Sequence, residues 1–142
     1  MKKHFISLFA VATIALSACS GNDDSSDVIQ SDNKIVGVWE SWKEITDDGE
    51  TFELIENGCA TYADTYKADG TGTEKYFSSW TNCSLITSDN IKWQSLGNDN
   101  YKISNADGSF SETHHFTFED NNTFIQRDEE NESNIYFRRK IN

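Results

Sequence analysis

The chain has 142 residues, room for one domain, and 36% hydrophobic with 13% aromatic content supplies enough apolar mass for a core, which excludes disorder throughout. Lys plus Arg number 12 against 24 Asp plus Glu, a net charge of −12, so no cationic surplus exists to build a nucleic-acid-binding face. Three cysteines without a Cys-x-x-Cys pair argue against a zinc module, and nothing in the composition implies a cofactor.

Lys2 and Lys3 precede an apolar stretch from Phe5 to Leu16 broken only by Ser7 and Thr13. A helix needs roughly twenty apolar residues to span a bilayer, so this shorter stretch has the pattern of an export signal instead. Leu16-Ser17-Ala18-Cys19 follows at the expected distance. These residues resemble the lipobox of bacterial lipoproteins, and the resemblance implies cleavage before Cys19, acylation of that cysteine and membrane attachment through it. Two or three acyl chains on one residue anchor stably where a single chain does not. The alternative is an ordinary secretory signal with an incidental cysteine. On the lipoprotein reading residues 1–18 are removed, and the loss of Lys2 and Lys3 takes the mature net charge from −12 to −14.

Residues 19–33 carry the cysteine and a tether. From Ser20 to Asn33 there are four aspartates, no aromatic residue and no basic one, so little there repays the entropy of ordering. Fourteen such residues reach about 20 Å as coil. Asp23-Asp24 resembles the export signal of Bacteroidetes surface lipoproteins, which implies the outer membrane and its outer face; a solvated spacer is the plainer reading.

The domain spans residues 34–142 and shows period 2, not 3.6. The pattern predicts strands near 35–46, 50–56, 61–68, 72–79, 90–96, 100–105, 109–119, 123–129 and 134–141. Turn signals separate them, among them Asp48-Gly49, Asn57-Gly58, Asp69-Gly70, Asn98-Asp99, Asp107-Gly108 and Asp120-Asn121-Asn122. The expected fold is all-β: an antiparallel up-and-down barrel of about eight to nine short strands. Alternation puts Ile35, Gly37, Trp39 and Ile45 on one face of the first strand. Phe110, His114, Phe116 and Phe118 share a face near the middle of the domain, as do Ile135, Phe137, Arg139 and Ile141 at its end. Tyr62, Tyr66, Trp93, Tyr101, Ile103 and Phe124 are further inward candidates.

Gly37-Val38-Trp39 on the first strand, Ala68-Asp69-Gly70-Thr71 at a central turn and Arg138-Arg139 on the last strand carry a second resemblance. Together they resemble the lipocalins, and in particular the short lipocalin-like lipoproteins of Bacteroidetes. The family's G-x-W motif implies that a late basic residue, here Arg139, packs on Trp39. The sequence departs from the family in having no T-D-x-x-Y motif and a domain of only about 109 residues.

The resemblance implies a small hydrophobic or amphipathic ligand inside the barrel, against Tyr62, Tyr66, Trp93, Tyr101 and Phe116, with His114 as one polar contact. The alternative is a filled barrel whose outer aromatics Trp42, Trp80 and Tyr136 dock another envelope protein. Cys59 and Cys83 remain as an even pair in a disulfide-permissive compartment and are expected to bridge, the alternative being two separate buried thiols. His114 and His115 are neighbours on a strand, point to opposite faces and cannot share a metal. No hydrolase, P-loop, zincin or Rossmann motif occurs, so no enzyme is expected.

Overall fold

A computed structural model describes residues 33–78 and 82–141. The expected signal segment, Cys19, the tether as far as residue 32, and Trp80 lie outside those residues. Eleven strands follow in chain order: β1 (Gly37–Thr46), β2 (Thr51–Glu53), β3 (Ile55–Glu56), β4 (Cys59–Ala60), β5 (Tyr62–Tyr66), β6 (Thr71–Ser78), β7 (Ser84–Gly97), β8 (Asn100–Asn105), β9 (Ser111–Phe118), β10 (Thr123–Asp128) and β11 (Ser133–Arg139). Eight of them, β1 and β5 to β11, run as an antiparallel meander that closes through β11 onto β1, so the expected up-and-down barrel is present. Among the described residues there is no helix.

The edges depart from the expected strands. The segment expected as one strand over 50–56 divides into β2, which takes the place of β5 beside the far half of β1, and β3, which pairs with β4 around Asn57-Gly58. Asn57 has φ 53° and Gly58 φ 79°, the two positive angles that a tight hairpin turn requires. At β7 the strand expected over 90–96 begins at Ser84 instead. Ser84 to Asn90 is exposed and, apart from Leu85-Ile86, polar, so it shows no alternation of its own; β6 supplies its ladder from Thr73 to Ser78.

One end of the barrel is sealed. Trp39 is fully buried and its Nε1 donates to the Ile35 carbonyl at 2.7 Å, folding residues 33–36 under the opening. The Tyr101 hydroxyl reaches Asn33 Oδ1 at 2.9 Å from the opposite wall. Arg139 lies outside the indole with its guanidinium carbon 4.2 Å from the ring centroid, and donates to the carbonyls of Val36 (2.6 Å), Lys34 (2.9 Å) and Asn121 (3.0 Å). Trp39 and Arg139 are direct cross-strand partners, as the inward assignment of both requires. Gly37 completes the arrangement: a Cβ there would stand 2.1 Å from Arg139 Nη1, and its φ of +148° disfavours any side chain. The three signature residues are therefore one physical object, a cation over an indole with the space beside it kept clear.

Above this lid the interior is solid. Tyr66, Trp93, Tyr101, Phe116, Phe124 and Phe137 interlock through edge-on and stacked ring contacts, with centroids as close as 4.7 Å between Phe116 and Phe124. Three inward expectations are corrected. A bulge between Ser41 and Lys43 reverses the phase of β1, so Glu44 faces inward opposite Ile135 and Ile45 does not. Phe110 precedes β9 and is 56% exposed, bordering the barrel's cavity and not its core, and Ile141 lies beyond β11 at 85% exposure.

Candidate functional site

The other end of the barrel, bounded by the β8–β9 and β10–β11 turns and the β6–β7 hairpin, is open onto a cavity of about 400 Å³. Its floor is apolar: Ile91, Ile103, Ile135 and Phe137, all part of the core. Its walls are not. Strand register sets Trp39, Asp64, Glu74 and Asp89 directly opposite one another across β1, β5, β6 and β7. Directly paired side chains share a face with Cβ atoms about 5 Å apart. Three carboxylates thus stand in a row on neighbouring strands, all lining the cavity. The row climbs from the core to the mouth: Asp64 is 7% exposed, Glu74 half-buried and Asp89 exposed.

The electrostatics follow from that placement. Burial, and then the charge of Glu74, hold the Asp64 carboxyl well above the usual carboxylate range, against one hydrogen bond accepted from the Lys75 backbone N–H. Glu74 is raised for the same two reasons, burial first and then Asp89. The phenol of Tyr66 is raised by burial and by the same carboxylates. The next row toward the mouth pairs Tyr62 with Tyr76, ring centroids 5.4 Å apart. Across the cavity His114 stacks on Phe116 and lies 3.7 Å from Glu112, and burial keeps its imidazole below the ordinary histidine range despite that partner. Among the described residues no group of three or more His, Cys, Asp or Glu is arranged to hold a metal ion.

Of the six residues expected to line a ligand site, Tyr62 and His114 do so. Tyr66, Trp93, Tyr101 and Phe116 belong to the solid core below the cavity and do not line it. The acidic row was missed, although its signal was present: the alternation that turns Tyr62 and Tyr66 inward turns Asp64 inward with them, and Gly72, Glu74 and Tyr76 share a phase on β6.

Cys59 and Cys83 sit outside the barrel, where they line a groove beside the β3–β4 hairpin. They are separate thiols in the structure, Cys59 buried and Cys83 exposed, so the expected bridge is not formed there. They are nonetheless neighbours: burial and a hydrogen-bond contact with Cys83 push the Cys59 thiol up to about 11. On the outer wall Trp42 and Tyr136 meet edge-on at 6.3 Å with Lys43 Nζ 4.4 Å and 4.3 Å from their ring centroids, and the buried Trp42 Nε1 has no hydrogen-bond partner.

No family model and no curated protein matches the sequence. Among solved structures, the barrel is similar to a lipocalin-like protein from Bacteroides uniformis ATCC 8492, with a TM-score of 0.55 and 13% identity over 75% of this chain and 99% of that one. At that identity the likeness concerns fold: the domain is a lipocalin-like barrel.

Proposed function

We propose that this protein is a non-catalytic, membrane-anchored binding protein whose barrel takes a small amphipathic ligand through its open end. One observation carries the reading: the barrel is sealed and solid at one end and holds a cavity of about 400 Å³ with an apolar floor at the other. Ile91, Ile103 and Phe137 offer apolar surface for a ligand's body, and each methylene buried there contributes about 0.8 kcal/mol. Tyr62, His114 and the carboxylates at the walls provide orientation. The Trp39–Arg139 lid is structural on this reading; it keeps water and ligand from the far end.

The lipobox-like Leu16-Ser17-Ala18-Cys19 supports attachment of the chain to the bacterial outer membrane through acylated Cys19, with the acidic tether holding the barrel clear of the headgroups. Cys19→Ser is expected to move the protein from the membrane to the soluble fraction, and continued membrane association overturns the anchor. Native mass spectrometry of that soluble protein, purified from its host envelope, is expected to show a bound small molecule. Substituting Ile103→Glu in the cavity floor should abolish that mass; a ligand retained by the variant places binding elsewhere. A second reading has its own observation in the half-buried Trp42–Lys43–Tyr136 cluster on the outer wall, a surface suited to an envelope partner. Lys43→Glu should weaken capture of such a partner and leave the ligand in place.

A further inference from the structure

The geometry points to an organic cation as the cargo: an ammonium or guanidinium group carried on an apolar body, its charge held by the Asp64–Glu74–Asp89 row and its body laid on the cavity floor. The inference rests on the ligand-binding reading above and names the ligand's chemistry.

The row is a paradox as pure architecture. Like charges placed directly opposite on neighbouring strands destabilise a sheet, and here the arrangement is repeated twice in succession. Buried carboxylates normally have a cation beside them. Among the described residues, the lysines and arginines in ion pairs serve Asp99, Asp47, Glu129 and Glu40, and none pairs with Asp64, Glu74 or Asp89. Among the described residues, the charge that bears on Asp64 is that of Glu74, of the same sign. Lys75 borders the cavity as well as the outer groove at Cys59, but it alternates in phase with Glu74 and Tyr76 on β6 and reaches the row through its backbone N–H, which donates to Asp64; it forms no ion pair with the three carboxylates. A cationic ligand would supply the missing countercharge.

A second feature independent of the acids suits the same chemistry. Tyr62 and Tyr76 form the row above, their rings 5.4 Å apart and tilted by 30°, at the height where a charged group on the row would meet aromatic faces. Glu112 and Asp128 extend the negative lining toward the mouth, and the one histidine there is disfavoured in its charged form by burial. Such a lining attracts cations and repels carboxylate-bearing amphipaths. The carboxylates are strung along a wall, not gathered around a point, which fits an extended organic cation better than a bare metal ion.

The test is isothermal titration calorimetry of the soluble Cys19→Ser protein with three probes of one shape, octylammonium, octanol and octanoate, and with calcium chloride. Octylammonium is expected to bind about tenfold or more tightly than either of the others, the margin of a charge-assisted contact in a partly buried site. Asp64→Asn combined with Glu74→Gln should remove that margin and leave octanol binding unchanged. The pair relieves like-charge repulsion and should fold; Asp89→Asn, at the exposed end of the row, supplies a second variant clear of the core and should weaken octylammonium about threefold. Equal affinity for octylammonium and octanol, or preference for octanoate, overturns the cation inference and leaves the binding reading standing. Calcium binding lost in the double variant, without octylammonium binding, also overturns it. Failure of all three octyl probes to bind overturns both.

Discussion

Arg139→Ala should destabilise the barrel by about 3 kcal/mol. A guanidinium over an indole at 4.2 Å contributes about 1–2 kcal/mol when partly desolvated. The Val36 carbonyl, which accepts from Nη1 at 2.6 Å in the part-buried lid, would lose its donor at a cost of about 1–2 kcal/mol. The Lys34 and Asn121 carbonyls are exposed and rehydrate, so their loss adds little. Three kilocalories is a large share of a stability in the usual range of about 5–15 kcal/mol, and it should lower the urea midpoint by about 2 M, followed by tryptophan fluorescence. Arg139→Lys should fall between, since it keeps a cation for the ring but not the planar fork that spans three carbonyls. Gly37→Ala makes the test sharper. Its methyl would displace Nη1, which stands 2.1 Å from the Cβ position, so its penalty combines the strain of φ +148° with loss of the Arg139 contacts. In the Arg139→Ala background the second part is already gone, and the double variant should be less unstable than the sum by about 1 kcal/mol or more. A loss below about 0.5 kcal/mol for Arg139→Ala, or strict additivity with Gly37→Ala, would refute the account of the lid.

Asp64→Asn should stabilise the protein at neutral pH, because burial and Glu74 raise the folded carboxyl above its unfolded value near 3.9. For an acid so shifted, stability is full below the unfolded value and declines as pH rises through the folded one, so the variant's advantage should be absent near pH 3.5 and grow to on the order of 1 kcal/mol by pH 7. Glu74 on β6, Asp89 on β7 and Tyr62 and Tyr66 on β5 remain in both proteins, so the difference between the two thermal denaturation curves isolates Asp64; an advantage that shrinks with rising pH contradicts the assignment. The neighbouring Cys59 and Cys83 thiols should close to a disulfide when the protein matures in an oxidising compartment. That bridge would span a 25-residue loop and add about 3 kcal/mol. Two thiols titrating freely in the unreduced exported protein would show that the pair stays open.

Much of the architecture was legible because period-2 alternation is a local property of the chain. Phase alone placed Trp39 and Arg139 inward, the resemblance to the lipocalin G-x-W motif implied that they pack together, and both lie in the lid. Phase failed where the backbone broke it: the Ser41/Lys43 bulge adds a residue, so Glu44 and not Ile45 opposes Ile135. Strand existence failed at Ser84 to Asp89, where the short Leu85-Ile86-Thr87 run is exposed and lacks alternation, and pairing with β6 extends the chain.

The composition and spacing of this chain were enough to determine an antiparallel barrel with one aromatic, inward-facing surface; the Trp–Arg seam came from the motif resemblance. They could not determine height along the barrel axis. Alternation says whether a side chain points in, but register and stagger between strands decide which inward residues meet at one level. Only the closed barrel brings Tyr66, Trp93, Tyr101 and Phe116 together as a solid plug and lifts Asp64, Glu74 and Asp89 into one row above it. The division between filled and open interior is therefore a tertiary fact, set by how far each strand slides past its neighbour as the sheet closes.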